Sequence, residues 1–235
     1  MNEREGPDRK IVTVWALVIV MLLGVVVTYN YLLRNRFEYV SERPAFKGKL
    51  EKDLVALNRT GKEVALGSLR GKVWVASYLF TDCPKQCIGV ARKMAELQER
   101  FGENELFHLV SFSVNPAGDT PEKMNAFVKA HGIDSENWWF LTGDEKKIRD
   151  YMVRYFRFYP VVANTDLTMI ATQGAFQHDP RLALVDGLGN IRGYYDVTDP
   201  QVGKEWEKKL FSDVAWVLRE GARPAGMYWE KKGEK

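Results

Sequence analysis

The stretch VWVASYLFTDCPKQCIGVARKMAELQERF, residues 73–101, restricts the fold more than any other. Its opening run is apolar almost without interruption and of strand length. A strand with one wet face alternates apolar and polar side chains. A run without that alternation is covered on both faces, as in the middle of a parallel sheet flanked by helices. A short polar junction with Cys83 and Cys87 follows, and then Val90, Met94, Leu97 and Phe101 recur at helical spacing up to Gly102, a helix stop. The order strand, paired thiols, amphipathic helix puts a dithiol at a strand-to-helix junction.

The chain continues in the same pattern. LFHLVSFSV (106–114) reads as a second buried strand and WWFL (138–141) as a short third one. Between them, Thr120 and Pro121 offer a capping hydroxyl and a first-turn proline to a helix with Met124, Phe127 and Val128 inward and Gly132 at its end. Asp144 can cap a helix carrying Ile148, Met152 and Tyr155. Residues 182–195 read as a hairpin, and 200–220 as a last helix with Trp206, Leu210, Val214 and Val217 on one side. Upstream, residues 53–72 read as a hairpin turning at 58–62, where Gly61 can take positive φ. Residues 158–172, with Tyr159, Asp166 and Met169, read as a less regular insert, by default a solvated loop and otherwise a partner surface. A βαβ unit joined to a ββα unit predicts an α/β fold of thioredoxin-like plan: a central mixed sheet flanked by helices, preceded by an N-terminal hairpin.

Ahead of this domain, IVTVWALVIVMLLGVVVTY (11–29) carries no charge. As a helix it reaches about 28 Å, close to the hydrocarbon thickness of a bilayer. Trp15, Tyr29 and Tyr31 are suitable interface anchors. A cleaved signal peptide would have a shorter apolar region and a small-residue cleavage site, and none follows Tyr29. The predicted organisation is a short segment 1–10, a single-span anchor 11–31, a polar tether 32–49, a folded domain 50–220 and a loose tail 221–235. Basic residues flank the span on both sides, so flank charge leaves its orientation open.

Composition excludes some functions. Thirty-four basic and 31 acidic residues give a net charge of +3, and no basic run or zinc-finger spacing points to nucleic acid. The 2 cysteines cannot staple a small core, but they can work as a pair. At a helix start, unpaired N–H groups and the helix dipole stabilise a thiolate. In a helix running from Cys83, with Pro84 at its first position, both sulfurs would share one face. A disulfide there closes a very short loop and adds only about 2 kcal/mol, so reversible redox chemistry or a metal grip explains the pair better than stability. Zinc wants four ligands, or three and a water; Cu(I) prefers soft thiolates and accepts fewer. A histidine would complete such a site. His108 lies within an apolar strand and His131 at a helix end, while His178 sits at the mouth of the hairpin with Asp179 and Pro180 beside it; it is the best placed of the three candidates, and spacing alone leaves the choice open.

These residues also match a known family. FTDCPKQC, the segment NPAGDTPEKM, WWFLTGD and QHDPRLALVDGLGN occur in order and resemble the motifs of the Sco/SenC proteins over roughly residues 50–218. The resemblance implies a membrane-anchored, thioredoxin-like copper chaperone serving assembly of the binuclear copper centre of cytochrome c oxidase. It implies copper, as Cu(I) with Cu(II) as a second state, on Cys83, Cys87 and His178. Its partners would be an upstream copper donor and the copper-receiving subunit of the oxidase. The anchor would lie in the bacterial cytoplasmic membrane, with the domain facing the periplasm. Ile88, Asn115, Gln177 and Asp179 depart from the family pattern without removing a ligand. A carboxylate at Asp179 would favour a charged His178 and make copper binding acid-sensitive.

A chaperone has no turnover and is not an enzyme. The competing expectation is a thiol–disulfide oxidoreductase that reduces acceptor cysteines, with Cys83 attacking, Cys87 resolving and His178 dispensable. Peroxide reduction would call on Thr81 and Arg92 beside the thiolate, and a redox or copper sensor signalling through the membrane is a further alternative.

Overall fold

The computed structural model describes residues 9–37, 43–82, 86–133 and 135–221. The chain forms two compact units, residues 1–42 and 43–235. Among its described residues the first contains the helix α1 (Arg9–Phe37), in which Lys10–Asn30 is long and apolar enough to cross a membrane, with mean hydropathy 2.8.

The second unit runs β1 (Gly48–Lys49), β2 (Val55–Asn58), β3 (Glu63–Ala65), a 3-10 turn (Leu66–Leu69), β4 (Val73–Leu79), α2 (Gln86–Phe101), β5 (Phe107–Ser113), α3 (Pro121–Ala130), β6 (Trp138–Thr142) and α4 (Glu145–Arg154). It continues with β7 (Val162–Ala163), α5 (Leu167–Gln173), β8 (Phe176–Gln177), β9 (Leu182–Val185), β10 (Asn190–Tyr195) and α6 (Gly203–Gly221). The main sheet has the order β1-β10-β9-β4-β5-β6-β2-β3. Strands β4, β5 and β6 are parallel, whereas β9 pairs antiparallel with β4 and β2 antiparallel with β6. This is the mixed, helix-flanked, thioredoxin-like sheet the sequence predicts.

All seven residues of β4 are buried, as a two-sided apolar run requires. Alternation divides them. Trp74, Ala76 and Tyr78 face a core shared with Ile148, Tyr151 and Met152 of α4. Val73, Val75 and Leu79 face a second core with Met94 and Leu97 of α2, Met124 and Val128 of α3, and Leu210 and Val214 of α6. The predicted caps form: Thr120 accepts from the Lys123 N–H, with Pro121 behind it, and Asp144 from that of Lys147. The hairpin turns at Gly61, φ 77°, where Asn58 Oδ1 accepts the N–H groups of Thr60 and Lys62.

Two boundaries differ from the sequence reading. The tether ends earlier: Gly48–Lys49 pair with β10, and the Pro44 carbonyl accepts from the Arg192 guanidinium at 2.9 Å. Arg192 is buried and bound to Asp186 and Glu220, and Arg43 reaches Glu220 at 2.5 Å. Residues 43–49 thus belong to the folded unit, drawn in by an open sheet edge and a buried cation. The insert 158–172 is also more regular than a solvated loop. Phe158 is buried, β7 pairs with β8, and Asp166 caps α5. The predicted tail 221–235 lies, past Gly221, outside the described residues.

Candidate metal centre

Strand β4 delivers the chain to the carboxyl edge of the parallel strands, where loops of such sheets usually carry function. Three consecutive residues there are each tied to a different element. Phe80 meets Phe176 of β8 edge-on, ring centroids 5.5 Å apart. Thr81 gives both its N–H, at 3.3 Å, and its hydroxyl to the carboxylate of Asp119. Asp82 forms an ion pair with Lys123 of α3. Cys83 is the next residue.

His178 follows β8 and is half-buried. Its ring stands edge-on to Tyr78 at 5.8 Å, so the histidine packs against the strand that leads to the cysteines. Its Nδ1 lies 3.2 Å from the Asp179 carbonyl oxygen. A carbonyl only accepts, so Nδ1 carries the proton and the lone pair resides on Nε2. An imidazole oriented through the nitrogen it does not use is the usual arrangement of a metal-binding histidine.

Asp179 has another task than the one expected from its position. Its carboxylate is fully buried and accepts from the Arg181 Nε and Nη2 at 2.8 and 2.6 Å, the Arg181 N–H at 3.0 Å and the Tyr159 N–H at 2.9 Å. Arg181 in turn lies over the rings of Tyr159 and Tyr194, 4.8 and 4.9 Å from their centroids. The negative charge is matched by a forked cation and two backbone donors. It pins the loop that carries His178.

Cys83, Pro84 and Lys85 lie outside the described residues. Cys87 falls in the first turn of α2, its side chain not described. Among the described residues no group of three His, Cys, Asp or Glu side chains could hold a metal ion. The other histidines have structural surroundings. His108 is buried near the amino end of β5, against Trp139 at 4.6 Å, and burial, then the Lys72 charge, hold its pKa down at about 3. His131 ends α3, with Nδ1 2.9 Å from the Phe127 carbonyl. Thr81, a candidate for peroxide chemistry, has its hydroxyl proton committed to Asp119.

The sequence reading assigned no role to Asp119, Tyr78 or Phe176. Asp119 stood inside a recognisable motif, NPAGDTP, but what it touches depends on strand pairing. Tyr78 was indistinguishable from the rest of an apolar strand.

Comparison with known proteins settles the family. The family model described as SCO1/SenC matches residues 42–209. This chain belongs to the SCO1/SenC family. The SCO1 protein homolog of Bacillus subtilis is 35% identical over 102 residues, 43% of this chain and 53% of that protein. The chain spans about half the length of the curated relatives it matches. Among solved structures, BsSco, a member of the Sco family of cytochrome c oxidase assembly proteins in which a disulfide switch was identified, is 26% identical with a TM-score of 0.60, covering 75% of this chain and 96% of that one. Bradyrhizobium japonicum ScoI with copper bound has the same fold at 19% identity and a TM-score of 0.56, covering 73% and 99%. In this SCO1/SenC chain, the histidine loop and the strand preceding the dithiol are held together by the ring pairs Tyr78–His178 and Phe80–Phe176.

Proposed function

We propose that this SCO1/SenC protein carries copper. Cu(I), with Cu(II) as a second state, arrives from an upstream donor, sits on Cys83, Cys87 and His178, and leaves by ligand exchange to the copper-receiving subunit of cytochrome c oxidase. The observation that carries the reading is His178: its ring packs on the strand running to Cys83, and its Nδ1 faces a carbonyl, keeping the lone pair on Nε2. Two thiolates and an imidazole form a soft donor set suited to Cu(I). The copper-bound ScoI and the oxidase-assembly role of the BsSco family support it. Residues 11–31 would anchor the protein in the bacterial cytoplasmic membrane with the domain in the periplasm, and as a carrier it would not be an enzyme.

The disulfide switch of BsSco favours a second reading, thiol–disulfide exchange through Cys83 and Cys87 on the acceptor's cysteines. One experiment separates the two. The reduced full-length protein in detergent is titrated with Cu(I) against a competing chelator, alongside His178→Ala and a Cys83→Ser, Cys87→Ser double variant. The carrier binds one copper tightly and loses affinity strongly with either change. An oxidoreductase keeps its dithiol potential and reductase activity in His178→Ala, and copper binding that ignores His178 defeats the carrier reading.

A further inference from the structure

Asp119 is fully buried in the loop between β5 and α3, and its partners are neutral. One carboxylate oxygen accepts from the N–H and hydroxyl of Thr81; the other accepts from the Ser113 hydroxyl at 2.5 Å. Its own N–H is fixed to the Asn115 carbonyl at 2.8 Å. Burying a carboxylate is costly unless donors surround it, and a neutral side chain would fill the same space at lower cost. What the carboxylate adds is directionality. It only accepts, so both Thr81 donors must point inward, whereas an amide offers a donor on one side.

The residue it holds stands two positions before Cys83. Asp82 is fixed in turn by Lys123, and Phe80 by Phe176 in the strand that runs to His178. Thr81 is held to Asp119 through its backbone as well as its side chain.

We propose that Asp119 is a positioning residue for the dithiol: through Thr81 it sets where the chain enters the Cys83–Cys87 segment relative to His178, and so tunes both copper affinity and the dithiol's reduction potential. This rests on the reading of the two cysteines as the working thiols. The role proposed for Asp119 is exerted through Thr81, at the start of the segment.

The test uses the full chain in detergent with four variants, Asp119→Asn, Asp119→Ala, Thr81→Val and Thr81→Ser. Folding is followed by circular dichroism and urea unfolding, Cu(I) affinity by chelator competition, and the dithiol potential by equilibration with glutathione. Both Asp119 variants and Thr81→Val should weaken Cu(I) binding about 10–100-fold, the usual effect of losing an outer partner of a metal site, and shift the potential. Thr81→Ser, which restores the hydroxyl, should return both readouts to within about twofold of the parent, a recovery that loss of packing alone would not give. If either Asp119 variant fails to fold, the Thr81 pair carries the test. Wild-type affinity and potential in folded Asp119→Asn or Thr81→Val overturn the proposal. A parent protein that binds no Cu(I), with variants that still shift the potential, overturns the copper reading and leaves the positioning role standing.

Discussion

The imidazole of His178 stands edge-on to the phenol of Tyr78, at 66° with centroids 5.8 Å apart. The contact joins the loop after β8 to the central strand β4 and restrains the ring by packing. Tyr78 also meets Phe158, at 5.5 Å, so the same phenol couples the start of the insert to the histidine that follows β8.

The Tyr78 hydroxyl is buried with no hydrogen-bond partner among the described residues, and burial first, then the Asp179 charge, raise its pKa. Tyr78→Phe keeps the ring and removes the orphaned group. It should leave Cu(I) affinity unchanged and raise stability by about 1–3 kcal/mol in urea unfolding. Tyr78→Ala should cost about 3–5 kcal/mol and weaken copper binding by releasing the imidazole.

Arg181 is the only cation on the buried Asp179 among the described residues, with 24% of its side chain exposed. Arg181→Ala leaves that carboxylate with two backbone donors. Breaking a buried pair from one side costs about 3–5 kcal/mol, and the partial exposure of Arg181 places the expected loss near the lower end. Thermal or urea unfolding reads the loss; backbone amide exchange at 178–181 should rise with it.

His108 gives the stability a pH dependence. Its folded pKa of about 3 lies below the ordinary 6.5, so the fold prefers the neutral ring. The stabilisation is complete above pH 6.5 and is lost as pH falls toward 3, because the unfolded chain binds the proton first. At the steepest the slope is about 1.4 kcal/mol per pH unit. His108→Phe retains an aromatic ring against Trp139 and removes this term. The stability difference between variant and parent should therefore change between pH 6.5 and 3 and stay constant above it.

A soluble domain beginning at Leu50 should be less stable than one beginning at Arg43. The shorter chain loses the β1–β10 pairing and the Pro44 carbonyl that accepts from buried Arg192. Hydrogen bonds to a charged group contribute about 1.5–3 kcal/mol, so a difference of at least about 2 kcal/mol is expected in urea unfolding. Equal stabilities would show that 43–49 only rests on the domain.

Local signals carried far in this chain. Thr120 with Pro121, Asp144, Gly61 and Gly132 marked element ends that the structure keeps, because caps and positive-φ turns depend on a few neighbouring residues. The last helix begins at Gly203, later than expected, since Asp199 accepts from Gln201 and Val202 and holds a turn ahead of it. In the insert, short strands and a short helix left too little periodicity to read. The partners of Asp179, the Arg181 guanidinium and the Tyr159 N–H, are supplied by the fold and are not legible from its place beside His178.

The sequence by itself determined the two-sided strand, the helices that cover it, the apolar N-terminal helix and the presence of two thiols and a histidine, since periodicity and composition record burial directly. Only the tertiary structure decided which residues hold these groups. Tyr78 reaches His178, and Asp119 reaches Thr81, through strand pairing and chain crossings that bring distant segments together, and no local pattern encodes those distances.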